Sequence, residues 1–250
     1  MAIKKNDSIL ITGGSSGIGL ATAKVYIDAG ADVFITGRNI ERLEAVKKEL
    51  GNRLTIIQAD VSNVKEHDKV YQIIKEKKGY LSTIFANAGI AEGNIMGETS
   101  VEVFDKVFDI NVKGMFFSVQ SMLPLLKDGS SIILNASIVS NKGMANLSLY
   151  NASKAAVRSF SRSWANDLKH RNIRVNTVSP GVTETPIFTN GLDMSARDIE
   201  NLKDSLAQTS PIGRMGIPQE IADTVFFLSS EKASYINGIE LAIDGGFAQI

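Results

Sequence analysis

The chain has no cysteine, which removes disulfides, thiolate metal sites and cysteine nucleophiles together and fits a reducing, cytoplasmic compartment. Histidine occurs only at His67 and His170, so no His cluster stands at metal-ligand spacing. A Ser-His hydrolase is equally unsupported, because no G-x-S-x-G elbow surrounds Ser137. His67 falls in a charged helical stretch and His170 near a helix end, and both are expected at the surface. There is no excess of one charge: Lys plus Arg and Asp plus Glu stand at 27 each, so no nucleic-acid or anionic-membrane partner is indicated. No run is apolar for long enough to span a bilayer. Met1 to Asp7 are polar and charged and lack the apolar run of a secretory signal. Low-complexity tracts and fixed-period repeats are also missing.

What is present is enough apolar material, 44% of 250 residues, for the core of one α/β domain. The first apolar run, Ser8 to Thr12, breaks into Gly13-Gly14-Ser15-Ser16-Gly17-Ile18-Gly19, and Leu20 to Ala29 then reads as a helix. Strand, glycine loop and helix form a phosphate-binding unit: glycines let backbone N–H groups approach a pyrophosphate, and the helix N-terminus adds favourable partial charge. The spacing is T-G-x-x-x-G-x-G rather than G-x-G-x-x-G. The next strand, Asp32 to Thr36, ends at Gly37-Arg38-Asn39, about 20 residues on, where such a unit presents its ribose-reading residue. An acid there would bind the 2′-hydroxyl of NAD, whereas a guanidinium suits a 2′-phosphate, so Arg38 favours NADP(H) over NAD(H). The plain alternative is a solvated arginine opening the helix Ile40 to Leu50.

Further strands are read at Leu54 to Ala59, Thr83 to Ala86, Ser131 to Asn135, Arg174 to Ser179 and Glu240 to Ile243, with a helix over Val64 to Lys77 and another at Gln219 to Leu228. A helical pattern runs from Val101 to Lys127, interrupted by Asn111 and Lys113. Each connection is long enough for a crossover helix, which implies a mainly parallel, doubly wound sheet of seven strands. In such a sheet ligands lie beyond the carboxyl ends of the strands. That brings Asp60, Asn87-Ala88-Gly89 and Ser137 to one rim with the glycine loop, although Asn and Gly are also ordinary turn formers. Pro186 to Pro211 reads as a long mixed segment suited to covering a ligand. At the start of a long helix, Tyr150 and Lys154 are four residues apart on one face. A phenol titrating near pH 10 needs a nearby positive charge to act at neutral pH, and Lys154 is the candidate source.

Taken in order, Thr12-Gly13-x-x-x-Gly17-x-Gly19, Asn87-Ala88-Gly89, Asn111, Ser137, Tyr150-x-x-x-Lys154 and Pro180-Gly181 through Thr185 make the chain resemble the short-chain dehydrogenase/reductase family over essentially its whole length. The resemblance implies one Rossmann-type domain over 1–250, with a substrate-covering segment near 186–211. It implies Tyr150 as general acid/base, Ser137 on the reacting oxygen, Lys154 lowering the tyrosine pKa and holding the nicotinamide ribose, and Asn111 anchoring a water. Gly13, Ser15, Gly17, Ile18 and Gly19 would cradle the phosphates, Asp60 and Val61 the adenine, and Asn87, Ala88 and Gly89 the inner face. Pro180, Gly181, Val182 and Thr185 would line the nicotinamide end. The activity implied is NADP(H)-dependent hydride transfer on a small carbonyl or alcohol, in a homotetramer. A 3-oxoacyl-[acyl-carrier-protein] reductase is the runner-up, weakened because Lys127-Asp128-Gly129-Ser130 is only weakly basic. A non-catalytic NADP-binding sensor or scaffold is the rival from another class. Met144, Leu147 and Leu149 hint at an apolar wall by the catalytic loop.

Overall fold

Seven short apolar runs become seven parallel strands because each is followed by a helix that must cross back over the sheet before the next can pair. The computed structural model describes residues 7–250, so all but the last residue of the polar Met1 to Asp7 stretch lies outside the described residues. The strands are β1 (Ser8–Thr12), β2 (Asp32–Gly37), β3 (Leu54–Gln58), β4 (Leu81–Ala86), β5 (Leu126–Asn135), β6 (Arg174–Pro180) and β7 (Glu240–Ile243). They form one sheet in the order β3-β2-β1-β4-β5-β6-β7. The chain order therefore reverses between β1 and β4, and a crevice opens beyond their carboxyl ends.

Period-two alternation sends neighbouring strand residues to opposite faces. Leu10, Phe34, Ile84 and Leu134 join one core with Val70, Ile74, Met115, Val119 and Val157. Those residues come from α3 (Glu66–Lys77), α5 (Met115–Gln120) and α6 (Ser148–Asp167). Ile9, Ile11, Ile35, Phe85 and Ile133 join the other core with Tyr26, Leu43, Val46, Ile221 and Val225. These lie on α1 (Gly17–Asp28), α2 (Ile40–Leu50) and α9 (Pro218–Ser229). The sheet is thus buried on both faces, as near-continuous apolar strands require. No helix among the described residues is long and apolar enough to cross a membrane.

Two stretches differ from the sequence reading. The single helix expected over Val101 to Lys127 is α4 (Val101–Phe108), a π turn over Asp109–Gly114, α5 and a 3₁₀ turn at Leu123–Leu125. Pro124 is the second residue of that last turn, where a missing N–H costs little, and strand pairing begins at Leu126 rather than Ser131. The π turn sits where α4 and α5 press on the loop after β3: a Cβ on Gly114 would lie 2.8 Å from the Val61 carbonyl oxygen. The segment read as a mixed loop, 186–211, holds α7 (Ile187–Asn190) and α8 (Ala196–Thr209). A capping box between Ser195 and Asp198 starts α8.

Candidate active site

The glycine loop is built for close backbone approach. Gly13 and Gly17 have φ of +67° and +52°, a region that side-chain-bearing residues avoid. Gly19 faces inward rather than toward a ligand, since a Cβ there would meet the Gly13 carbonyl oxygen at 2.3 Å. Asn87 holds the loop from beneath: its Nδ2 donates to the carbonyls of Thr12 (3.0 Å) and Gly13 (3.2 Å). Asn135 continues the chain, donating through Nδ2 to Asn87 Oδ1 at 2.9 Å, while its backbone carbonyl accepts from Lys154 Nζ at 2.8 Å. Gly19→Ala is expected to destabilise the fold by about 1–3 kcal/mol through overpacking, a fall in Tm of about 2–4 °C per kcal/mol. Nucleotide affinity should fall with it, read by calorimetric melting and titration of the same variant.

A cavity of about 630 Å³ runs from this loop to Tyr150. At one end it is lined by Ser15, Gly37, Arg38, Asn39 and Arg42, and Asp60 is the one acidic residue among the described lining residues. Arg38 and Arg42 are exposed. Asn39 caps α2, its Oδ1 accepting from the Arg42 N–H at 2.8 Å. The Asp60 carboxylate is already engaged, Oδ1 accepting from the Ser62 N–H (2.9 Å) and hydroxyl (2.7 Å). Next to it, Val61 receives a support that the sequence did not suggest. His67, expected at the surface, is 4% exposed, with Nε2 at 3.1 Å from the Val61 carbonyl oxygen. The first turn of α3 tucks this ring under the loop, and burial lowers its pKa. His170 is exposed, as expected.

At the other end stand Ser137, Tyr150 and Lys154. Ser137 is separated from the end of β5 by Ala136 alone and caps the 3₁₀ turn Ile138–Ser140, with Oγ accepting from the Val139 N–H at 3.4 Å. The half-buried Tyr150 hydrogen-bonds to Ser137. Lys154 is 3% exposed, with Nζ at 5.7 Å from the centroid of the Tyr150 ring. The structure reverses one expectation. Burial pushes the Tyr150 phenol up to about 12, against the lowering effect of its Ser137 bond. Burial also brings the Lys154 ammonium down to about 8. The ammonium donates to the Asn135 carbonyl rather than to the phenol, and desolvation decides the direction of the Tyr150 shift. The phenol is accordingly protonated at neutral pH.

Asn111 lies in the π turn, fully buried. Its Oδ1 accepts from the Ile90 N–H (2.8 Å), and its Nδ2 donates to the Ile90 carbonyl (2.9 Å) and Ser153 Oγ (3.0 Å). The side chain is thus spent on fastening the Gly89-Ile90 loop to α6, just before Lys154. A Cβ on Gly89 would sit 3.1 Å from Asn111 Oδ1 and 3.3 Å from Lys154 Nζ. Of the catalytic and cofactor-binding candidates named from sequence, all line the cavity except Gly19 and Asn111, which lie behind it. Arg42 and Asn135 were missed. The first stands four residues beyond Arg38 and the second two before Ser137, and both spacings were legible.

Beyond Tyr150 the cavity is walled by Val139, Met144, Leu147, Phe188, Leu192 and Met194, and among the described residues at this end Lys154 is the one charged side chain. Met144 and Leu147 form the expected apolar wall, and Leu149 does not reach the cavity. Among the described residues no His, Asp or Glu cluster could hold a metal ion. The φ-positive glycines, the room that only glycine leaves at positions 17 and 89, and the unpartnered buried Oδ1 of Asn135 fit an elongated dinucleotide along the floor.

A family model described as enoyl-(acyl carrier protein) reductase matches residues 13–248. The NADP-dependent (R)-specific alcohol dehydrogenase of Lentilactobacillus kefiri is 34% identical over 252 residues, covering 97% of each chain. The 3-oxoacyl-[acyl-carrier-protein] reductase FabG of Thermotoga maritima is 34% identical over 245 residues, 95% of this chain and 96% of that one. Among solved structures, a short-chain dehydrogenase/reductase from Brucella melitensis superposes with a TM-score of 0.92 at 30% identity, over 99% of both chains.

Proposed function

The chain belongs to the short-chain dehydrogenase/reductase family of oxidoreductases, and on that premise we propose that it works with NADP(H) on an uncharged, largely apolar carbonyl compound or the matching secondary alcohol. The observation that carries this reading is one cavity with a glycine loop and two guanidinium groups at one end and a serine-bonded phenol at the other. Gly13, Ser15, Gly17 and Ile18 would hold the phosphates, Arg38 and Arg42 the 2′-phosphate, and Thr185 and Val182 the far ring. The dinucleotide, when bound, supplies or accepts the hydride. Tyr150, protonated at neutral pH, gives its proton to the carbonyl oxygen or takes it from the alcohol. Ser137 holds that oxygen by a hydrogen bond, and Lys154 places positive charge beside the phenol as the proton leaves.

The preference for NADPH rests on Arg38. Arg38→Ala is expected to raise the KM for NADPH by about 10- to 100-fold, the cost of a charge-assisted bond to phosphate, and to leave the KM for NADH within about two-fold. Equal use of both cofactors by the unaltered enzyme would make Arg38 a helix-opening residue only.

Reduction of 3-oxoacyl chains on a carrier protein is the second reading, favoured by the likeness to the Thermotoga protein. The basic approach it needs is poorly served: Lys127 lies over the Tyr80 ring at 3.2 Å and Asp128 pairs with Arg171 at 2.9 Å, at the amino end of β5, away from the cavity rim. A spectrophotometric screen of NADPH oxidation across ketones, aldehydes, sugars and 3-oxoacyl thioesters tests all readings. Turnover of apolar ketones is expected. Preference for carrier-bound thioesters would favour the second reading, and binding without oxidation would favour a sensor.

A further inference from the structure

One buried charge lies outside the machinery described above. Glu240, the first residue of β7, keeps only 11% of its side chain exposed. Its Oε1 accepts from Ser179 Oγ at 2.7 Å and from Ser140 Oγ, and its Oε2 accepts from Asn141 Nδ2 at 2.7 Å. Arg158 Nη1 pairs with Oε2 at 3.5 Å and also donates to Asn141 Oδ1. Burial alone would push this carboxyl up, yet the donors from Ser140, Ser179 and Asn141 and the charge of Arg158 hold it below the ordinary range. It is therefore ionised at neutral pH.

What the carboxylate grips is informative. Ser140 and Asn141 end the 3₁₀ turn that begins at Ser137, and the Ser140 N–H donates to the Ser137 carbonyl at 2.9 Å. Arg158 lies four residues beyond Lys154 and eight beyond Tyr150, on the same stripe of α6. One carboxylate thus ties the turn that carries the serine to the helix that carries the tyrosine and lysine, and both to β6 through Ser179. Stability alone is a weak reason for such a group, because buried ion pairs are often replaceable by apolar residues without loss. The Arg158 Nε, buried without a partner, underlines that the cluster is not arranged for satisfaction alone. Directional bonds, by contrast, fix orientation.

We propose that Glu240 is a positioning residue that sets the Ser137 hydroxyl against the Tyr150 phenol through the Ser140–Asn141 turn and Arg158. This rests on the catalytic reading of Ser137 and Tyr150. The charge and the acceptor pattern matter more than the volume. In Glu240→Gln one carboxylate acceptor and the negative charge are lost: toward Asn141 Nδ2 and Arg158 Nη1 the new amide N–H₂ meets donors, and toward Ser140 and Ser179 it forces their hydroxyls to turn from donating to accepting. In a double variant combining Asn141→Asp with Glu240→Gln, carboxylate and amide simply exchange places. The amide now at position 240 donates to the carboxylate now at position 141, Arg158 keeps its anion, and the serines keep an acceptor.

The test compares kcat, NADPH dissociation constant and amide hydrogen exchange in these variants and in a Ser137→Ala background. Glu240→Gln is expected to lower kcat by about 10- to 100-fold, as for a displacement of order 1 Å, with NADPH affinity within about two-fold. Exchange should quicken in the Ser137–Asn141 stretch and not elsewhere. The exchanged double variant should recover kcat to within about three-fold of the unaltered enzyme. In the Ser137→Ala background, Glu240→Gln should cost less than about three-fold, because the group it positions is gone. An equal loss in both backgrounds, or unchanged kcat in folded Glu240→Gln, overturns the proposal. Should Glu240→Gln fail to fold, Ser140→Ala removes one strut only; a kcat lowered about three- to ten-fold supports the proposal, and an unchanged kcat overturns it. Were no carbonyl reduced by the unaltered protein, the functional reading would fall, and unchanged exchange at 137–141 would still overturn the positioning role separately.

Discussion

Tyr150→Phe should lower kcat by about 10²–10⁴-fold, the range that general acid–base catalysis contributes, while NADPH still binds. The substitution removes one oxygen from a ring that keeps its place on α6, so folding and nucleotide affinity, measured by melting and fluorescence titration, should barely move. The phenol, pushed up to about 12 by burial, carries its proton at neutral pH and meets Ser137 at the cavity end. Ser137 is the hydrogen-bond partner of that phenol, and Lys154 donates to the Asn135 carbonyl. A Tyr150→Phe variant that retains most of its turnover would refute the assignment.

Lys154→Met should be nearly as damaging, by about 10²-fold or more in kcat, and it carries a pH signature. Burial lowers the ammonium to about 8 from its ordinary 10.5. Below about pH 8 the group is charged both folded and unfolded, so the cost of burying the charge is fully present. Between about 8 and 10.5 the folded chain loses the proton first, the unfolded chain binds more protons, and the contribution to stability rises with pH. Activity should move the other way, with kcat for reduction falling above about pH 8 as the positive charge is lost. Melting temperatures of the unaltered protein minus those of Lys154→Met, across pH 8–10.5, isolate the first trend. A difference that stays flat would mean the lysine is not desolvated as described.

Much of this site could be read from the chain because its parts are local. A short apolar run followed by glycines and a helix specifies the phosphate loop whatever else folds around it. Strand ends in a parallel sheet put Asn87, Ser137 and Asp60 on one rim by topology alone. What escaped depended on contacts distant in sequence. The apolar spacing of Val101 to Lys127 continues through Asn111 and Pro124, and the close packing of Gly114 on the Val61 carbonyl at the π turn is a contact that this spacing does not carry. His67 looked solvated because charged neighbours surround it, yet a backbone carbonyl six residues away draws it inside. The upward direction of the Tyr150 shift is illegible for a similar reason: proximity in sequence to Lys154 says nothing of which acceptor the ammonium chooses or how far the phenol is desolvated. Glu240 reads as an unremarked residue at a strand start until Ser140, Asn141, Arg158 and Ser179 converge on it.

The bonds running from Lys154 through Asn135 and Asn87 to Thr12 and Gly13 also bear on how the two ends of the cavity communicate. If a ligand shifts the glycine loop, these bonds give that shift a route to the acceptor that orients Lys154, and a ligand that draws on the lysine has the same route in return. Linkage then requires the effect to be reciprocal: the factor by which a phosphate-bearing fragment tightens a carbonyl-site ligand must equal the factor by which that ligand tightens the fragment. Asn135→Ala would cut this thread without touching either ligand's charged partners, and the two binding events should become independent.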